Sequence, residues 1–319
     1  MKKFLALLLL LTCLTALHAQ NNMAKTIEHL ISFYPAQENS DNEIYIQRYI
    51  KNRLKKAGIQ YQEANLNTLN DCHSFSKNIY AKIPGESDKT LVIATPVTGF
   101  EGAYNIALAL DMAERFSQDR PACSIRILFL GAEFGQEKGY PIGSRSYIDS
   151  NSNSDTVLYI NFHGIPETII FQTGNKDKIA PFWMVENSNK ALSKSGLKFN
   201  LRPEQNVLYN LGMIPHTSPL DAYLEAGTDA IMLYGNEYVD LDPELWADSF
   251  YTFLREFSKD GLEDQGNIDT NYLILRWNNT YYMITELFIM SCFLDVNTLI
   301  NSMYSSNNKL ISFCNCEVK

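Results

Sequence analysis

The run CSIRILFL, from Cys123 to Leu130, ends in the small pair Gly131-Ala132 and delivers Glu133 immediately afterwards. A short apolar run closed by a small-residue turn reads as a buried strand, here over residues 125–130. Comparable runs recur at 59–64, 78–83, 91–94, 157–162, 168–172 and 230–234. Helical periodicity is found at 23–34, 41–57, 103–116, 180–195, 219–226 and 243–259. The second of these carries Ile46, Tyr49, Ile50 and Leu54 on one stripe and stops at Gly58. Strands that alternate with helices require a mostly parallel sheet covered on both faces. Ligands of such sheets sit at the carboxyl ends of the strands, which makes Glu133 the first candidate for chemistry.

Residues 1–19 stand apart. Lys2-Lys3, an apolar run over 4–14 and the polar end TALHAQ have the pattern of a secretory signal peptide cut after Ala19. Export is the expected localisation, periplasmic or extracellular. Loss of Lys2 and Lys3 moves the formal charge from -9 to -11. A surface this acidic, with no basic cluster, argues against nucleic acid or an anionic membrane as partner. The five cysteines beyond the leader, Cys72, Cys123, Cys292, Cys314 and Cys316, are too scattered for a disulfide framework.

The chain changes character near Gly261. Residues 261–271 are polar and read as a linker, and YLILRWNNTYYMIT reads as a hairpin about Asn278-Asn279. The apolar helix that follows has an uncharged core over 287–294, too short to span a bilayer, so packing or interfacial membrane contact is expected of it. The expected organisation is a leader at 1–19, an α/β domain at 20–260, a linker at 261–271 and an appendage at 272–319.

Four stretches resemble the zinc-dependent aminopeptidase family, which includes bacterial leucyl aminopeptidases, glutamate carboxypeptidases and glutaminyl cyclases. YIKNRLKKAGIQYQ is similar to its second helix and next strand, and SKNIYAKIPGESDKTLVIATP to the stretch carrying its first zinc histidine. EGAYNIALALDMAERF is similar to its Gly-Ala-x-Asp-Asn helix, and IRILFLGAEFGQEKGYPIGSRSYI to its Glu-Glu segment. VLYINFHG and TSPLDAYLEAGTDAIMLYG extend the likeness, which covers about residues 26–259. The resemblance implies an α/β fold, a three-layer α/β/α sandwich with a mixed, mostly parallel central sheet, followed by the small C-terminal hairpin and helix.

It also implies two zinc ions bridged by a carboxylate and a water, with a strand-tip Glu as general base. Carried onto this chain, the first zinc histidine falls on Thr95 and the aspartate that orients it on Val97. The bridging aspartate falls on or beside Asn105. The base is retained as Glu133, its neighbouring ligand becomes Phe134, and a third ligand, an aspartate, falls on His163. No histidine follows His216, where the family's last ligand would lie.

Two adjacent dications need several anionic donors, and only Glu133 and His163 remain. The expectation is therefore no cofactor, with zinc as the alternative. The function expected is that of an exported, peptidase-like protein that has lost its dinuclear zinc site and serves as a non-catalytic binding domain for a peptide or protein in the old cleft. One alternative is an active metallo-exopeptidase, aminopeptidase or amidase, with Glu133 as base and His163 with Asp221, Asp240 or Asp242 around an atypical metal site. Another is a truncated or decayed product, suggested by the unpatterned tail after Ser305. On the structural side, Glu133 pairs with Arg145 or caps a backbone amide, His216 edges the cleft, and Tyr104, Phe134 and Phe162 fill the vacated metal positions.

Overall fold

The computed structural model describes residues 22–66, 76–134, 141–151, 155–176, 178–213, 218–259, 262, 272–277 and 280–285. The leader, His216, most of the 261–271 linker and everything after 285 lie outside the described residues. The elements run α1 (Asn22–Ile31), α2 (Asp41–Lys56), β1 (Tyr61–Asn65), β2 (Lys77–Ile83), β3 (Ser87–Pro96), α3 (Ala103–Gln118), β4 (Cys123–Leu130), α4 (Ile142–Ser150) and β5 (Thr156–Asn161). They continue as β6 (Ile169–Gln172), β7 (Gly174–Asn175), β8 (Lys178–Ile179), α5 (Phe182–Ser195), β9 (Phe199–Asn200), α6 (Pro203–Asn210), α7 (Pro219–Glu225), β10 (Ala230–Gly235), α8 (Pro243–Ser258), β11 (Tyr272–Trp277) and β12 (Thr280–Thr285).

Eight strands form one sheet in the order β1-β2-β4-β3-β5-β10-β6-β9. Strands β4, β3, β5 and β10 are parallel neighbours, whereas β1–β2, β2–β4 and β10–β6 pair antiparallel. This is the mixed, mostly parallel α/β sheet that the sequence implied. Period-two alternation sends Ile125, Ile127 and Phe129 of β4 to one face and Leu128 and Leu130 to the other. The first face packs under α1, α2, α3, α5 and α8, and the second under α4 and α7, through Tyr147, Leu220, Tyr223 and Leu224. Helix α3 is buried almost all round, as its run of Ala, Ile, Leu and Met requires.

Helix starts follow their capping residues. Ser40 accepts from the Glu43 N–H at the head of α2, Ser218 and Asp221 form a capping box on α7, and Asp242 caps α8 ahead of Pro243. Helix α1 stops at Ile31, ahead of the Tyr34-Pro35 step, which disfavours helical geometry. Strand β3 begins at Ser87, ahead of the apolar run at 91–94, because Ser87 pairs with Cys123 across an irregular register. The expected hairpin forms as β11–β12, with Tyr272, Ile274 and Tyr281 in the larger core and the Tyr272 hydroxyl donating to the Ala180 carbonyl at 3.0 Å. Among the described residues no helix is long and apolar enough to cross a membrane.

Candidate functional site at the carboxyl edge

Strands β3, β4, β5 and β10 end at the same edge of the sheet, and their following loops carry Val97, Glu133, His163 and Tyr238. After β4 the chain reverses sharply. Ala132 takes a left-handed conformation at φ 47°, and Gly131 packs so closely that a Cβ there would lie 2.6 Å from the Lys77 carbonyl. The turn sends the Glu133 side chain inward, leaving the residue 1% exposed.

Glu133 is held by the first turn of α4. One carboxylate oxygen accepts the Ser144 N–H at 3.0 Å and the other accepts the Ser144 hydroxyl. Its own N–H donates to Thr98 Oγ1 at 3.1 Å. Asn78 locks the same corner, donating to the Gly143 carbonyl at 2.8 Å and accepting the Gly131 N–H at 3.2 Å. Burial pushes the Glu133 carboxyl up to about 7, against the pull of both Ser144 bonds. Burial and the charge of Glu133 hold the phenols of Tyr159 and Tyr223 well above their ordinary value.

The corner depends on a missing side chain. A Cβ on Gly143 would stand 2.4 Å from the Gly131 carbonyl and 2.9 Å from the Glu133 carboxylate. Both obstacles are fixed, so Gly143→Ala is expected to lower the unfolding free energy by about 1–3 kcal/mol, read from the urea midpoint at constant slope.

The other candidates divide between the core and the surface. Thr95 is fully buried and its hydroxyl donates to the Ile160 carbonyl at 3.3 Å, and Val97 is fully buried as well. Asn105 uses its carbonyl oxygen to accept the Phe162 N–H at 2.6 Å. Phe162 packs edge-to-face on Trp246 and Phe250, with ring centres 5.5 and 6.0 Å away, and Tyr104 meets Trp246 at 6.3 Å. Phe134 does not join them; it is 43% exposed. His163 is at the surface, with Nδ1 3.7 Å from Glu101 and its ring against Tyr238. Arg145 faces Glu225 at 3.7 Å and leaves Glu133 alone, whereas Asp221 and Asp242 act as helix caps. Glu133 therefore does the capping work of the structural reading, on the Ser144 amide. Sequence reasoning missed Ser144 as its partner, since 142–150 showed no helical pattern.

These residues do not fit a pair of zinc ions. Of the family's ligand positions, three carry Thr95, Asn105 and Phe134 and a fourth carries His163, which lies at the surface against Glu101 and Tyr238, while both oxygens of Glu133 are committed to Ser144. Among the described residues no group of three or more His, Cys, Asp and Glu could hold a metal ion.

Comparison with solved structures shows the fold. A glutaminyl cyclase from an Acidobacteriales bacterium superposes with a TM-score of 0.54 at 13% identity, over 76% of this chain and 95% of the other. A Zn-dependent exopeptidase from Parabacteroides distasonis gives 0.52 at 15% identity, over 75% and 97%. A glutaminyl cyclase from Bacteroides thetaiotaomicron bound to N-acetylhistamine gives 0.51 at 14% identity, over 75% and 96%. No curated protein matches. The zinc-exopeptidase and glutaminyl cyclase likeness implied by the sequence is thus present at the level of fold.

One expectation is corrected. The absence of a cofactor does not follow, because structures of this fold include Zn-dependent enzymes and the shortage of donors concerns the described residues alone. The profile of the TP_0564 family, first domain, matches residues 76–284, well over half of the 319, and the chain belongs to that family.

Proposed function

We propose that the chain is an exported, non-catalytic binding domain on a zinc-exopeptidase fold, in which the paired-zinc peptidase site has been given up and the carboxyl edge binds a peptide or protein segment. The observation that supports this most is the commitment of both Glu133 oxygens to Ser144 inside the core. A general base must reach the proton it removes, and this carboxylate is turned away from solvent. The leader pattern at residues 1–19 supports export. A metal bound elsewhere in the protein would not conflict with this role.

The edge is well suited to apolar peptide side chains. Phe100 follows β3, Phe134 follows β4, and Tyr238 and Leu241 follow β10, at 84%, 43%, 40% and 55% exposure. Isolated exposed apolar residues are ordinary, but four on the loops of one sheet edge form a rim of the kind that anchors a partner.

A second reading has one observation in its favour: a carboxyl near 7 is well placed to be a base at neutral pH. That reading makes the protein a metallo-exopeptidase or glutaminyl cyclase using Glu133. Turnover assays with zinc supplied, on aminoacyl anilides and on peptides with N-terminal glutamine, separate the two. The binding-domain reading expects no turnover, together with retention on an immobilised peptide library that Phe134→Ser and Phe100→Ser weaken at least tenfold. Hydrolysis or cyclisation that Glu133→Gln abolishes would establish the enzyme instead.

A further inference from the structure

An open depression of about 700 Å³ lies at the opposite end of the parallel strands from Glu133. Its walls come from the end of α2, the start of β1, the end of β2, the first half of β4 and the end of α4. The volume is that of a small-molecule site. Among the described residues Lys55, Lys82 and Arg126 line it and no Asp or Glu does, in a chain with 36 acidic and 27 basic residues.

The placement of the cations is the unexplained feature. Lys82 and Arg126 are directly paired across β2 and β4, and like charges so placed repel. Arg126 has its own compensation, reaching Asp155 at 2.8 Å and Asn151 at 3.2 Å and bonding the Tyr147 hydroxyl. Lys55 stands in the last turn of α2, a favourable place for a cation. Neither Lys55 nor Lys82 has an acidic partner among the described residues. The nearby Glu63 of β1 is occupied by Lys51 at 3.2 Å and Lys77 at 3.0 Å. It alternates to the other face from Gln62, which lines the depression with Tyr80.

We propose that this depression binds a small anion carrying two or more carboxylate or phosphate groups. Lys82 and Lys55 hold the oxyanions, Arg126 fixes one wall, and Gln60 and Gln62 supply hydrogen bonds while the Tyr80 ring backs the carbon frame. Bound anion relieves the Lys82–Arg126 repulsion, which couples binding to the stability of the β2–β4 pair. Nothing in this site depends on the carboxyl edge or on its role.

Isothermal titration calorimetry of the purified protein at fixed ionic strength, with pyrophosphate and with citrate as separate probes, tests the assignment. Saturable binding of at least one probe is expected, weakening as sodium chloride is raised. Pyrophosphate alone identifies a phosphate ligand, citrate alone a polycarboxylate, and both the shared oxyanion chemistry. Lys82→Met, at an exposed position, should weaken binding at least tenfold with an unchanged circular dichroism spectrum, as should Lys55→Met. Lys190→Met, which removes the Glu186 partner on α5, should leave the affinity unchanged. Failure of both probes to bind, or an affinity that Lys82→Met and Lys55→Met leave within a factor of two, overturns the proposal.

Discussion

Replacing Glu133 by glutamine will make the protein more stable at pH 8 and leave its stability unchanged at pH 4. The folded carboxyl titrates near 7, raised by burial, whereas in the unfolded chain it titrates near its ordinary value of 4.5. Between those two values the folded state binds more protons than the unfolded state, so stability falls as pH rises through this window and is level above it. The loss is on the order of 3 kcal/mol for a shift of this size. Glutamine is neutral throughout, and its carbonyl can accept the Ser144 N–H while its amide donates to the Ser144 hydroxyl. It therefore keeps both contacts without burying a charge. At pH 4 the native side chain is protonated when folded and mostly protonated when unfolded, so wild type and Glu133→Gln should unfold within about 0.2 kcal/mol of each other. At pH 8 the variant should melt higher by roughly 10 °C, at the 2–4 °C per kcal/mol usual for a domain of this size. Other titrating groups are common to both proteins and cancel in the comparison. A variant less stable than wild type at pH 8 would mean that the anion itself holds α4 in place, and the buried-charge account of this corner would be lost.

The sheet was legible because its signals are local and redundant. Runs such as 125–130 and 230–234 are short, apolar and bounded by turn residues, and the helices between them carry one apolar stripe and a cap, as Asp242-Pro243 does for α8. Helix α4 was not legible, because only Gly143, Ser144 and Tyr147 of its residues are buried and two of those have almost no side chain to give a period. Helix α6 is marked in the sequence by Pro203 at its first turn and by little else, since it lacks a side-chain cap. The two-residue strands β7, β8 and β9 exist only through their partners and leave no pattern. At the site, the sequence put Glu133 at the strand tip correctly, but its inward direction is set by the left-handed Ala132 and by the closeness of Gly131 to Gly143, contacts that residue types alone do not encode. The same limit applies to the aromatics, since Phe134 and Phe162 were expected to fill one space.

That division gives the second large effect. Phe162→Ala is expected to cost about 3–5 kcal/mol, because the side chain is fully buried and its removal opens a cavity beside Trp246 and Phe250. Neither ring can move in easily: the two are stacked on each other with centres 5.2 Å apart, and Trp246 also supports Tyr104. The hydrogen bond from the Phe162 N–H to Asn105 is made by the backbone and survives the substitution, so the loss measures packing alone. Phe134→Ala, the same change on a residue whose ring lies on the rim near Gly99, is expected to alter stability by less than about 0.5 kcal/mol. Paired urea titrations of the two variants at pH 7 make the comparison. Equal losses would show that Phe134 is core as well, and the rim proposed for peptide binding would then lose one of its aromatics. A loss confined to Phe162 leaves Phe134 free to meet a partner, with weakened peptide retention as the only consequence of its removal.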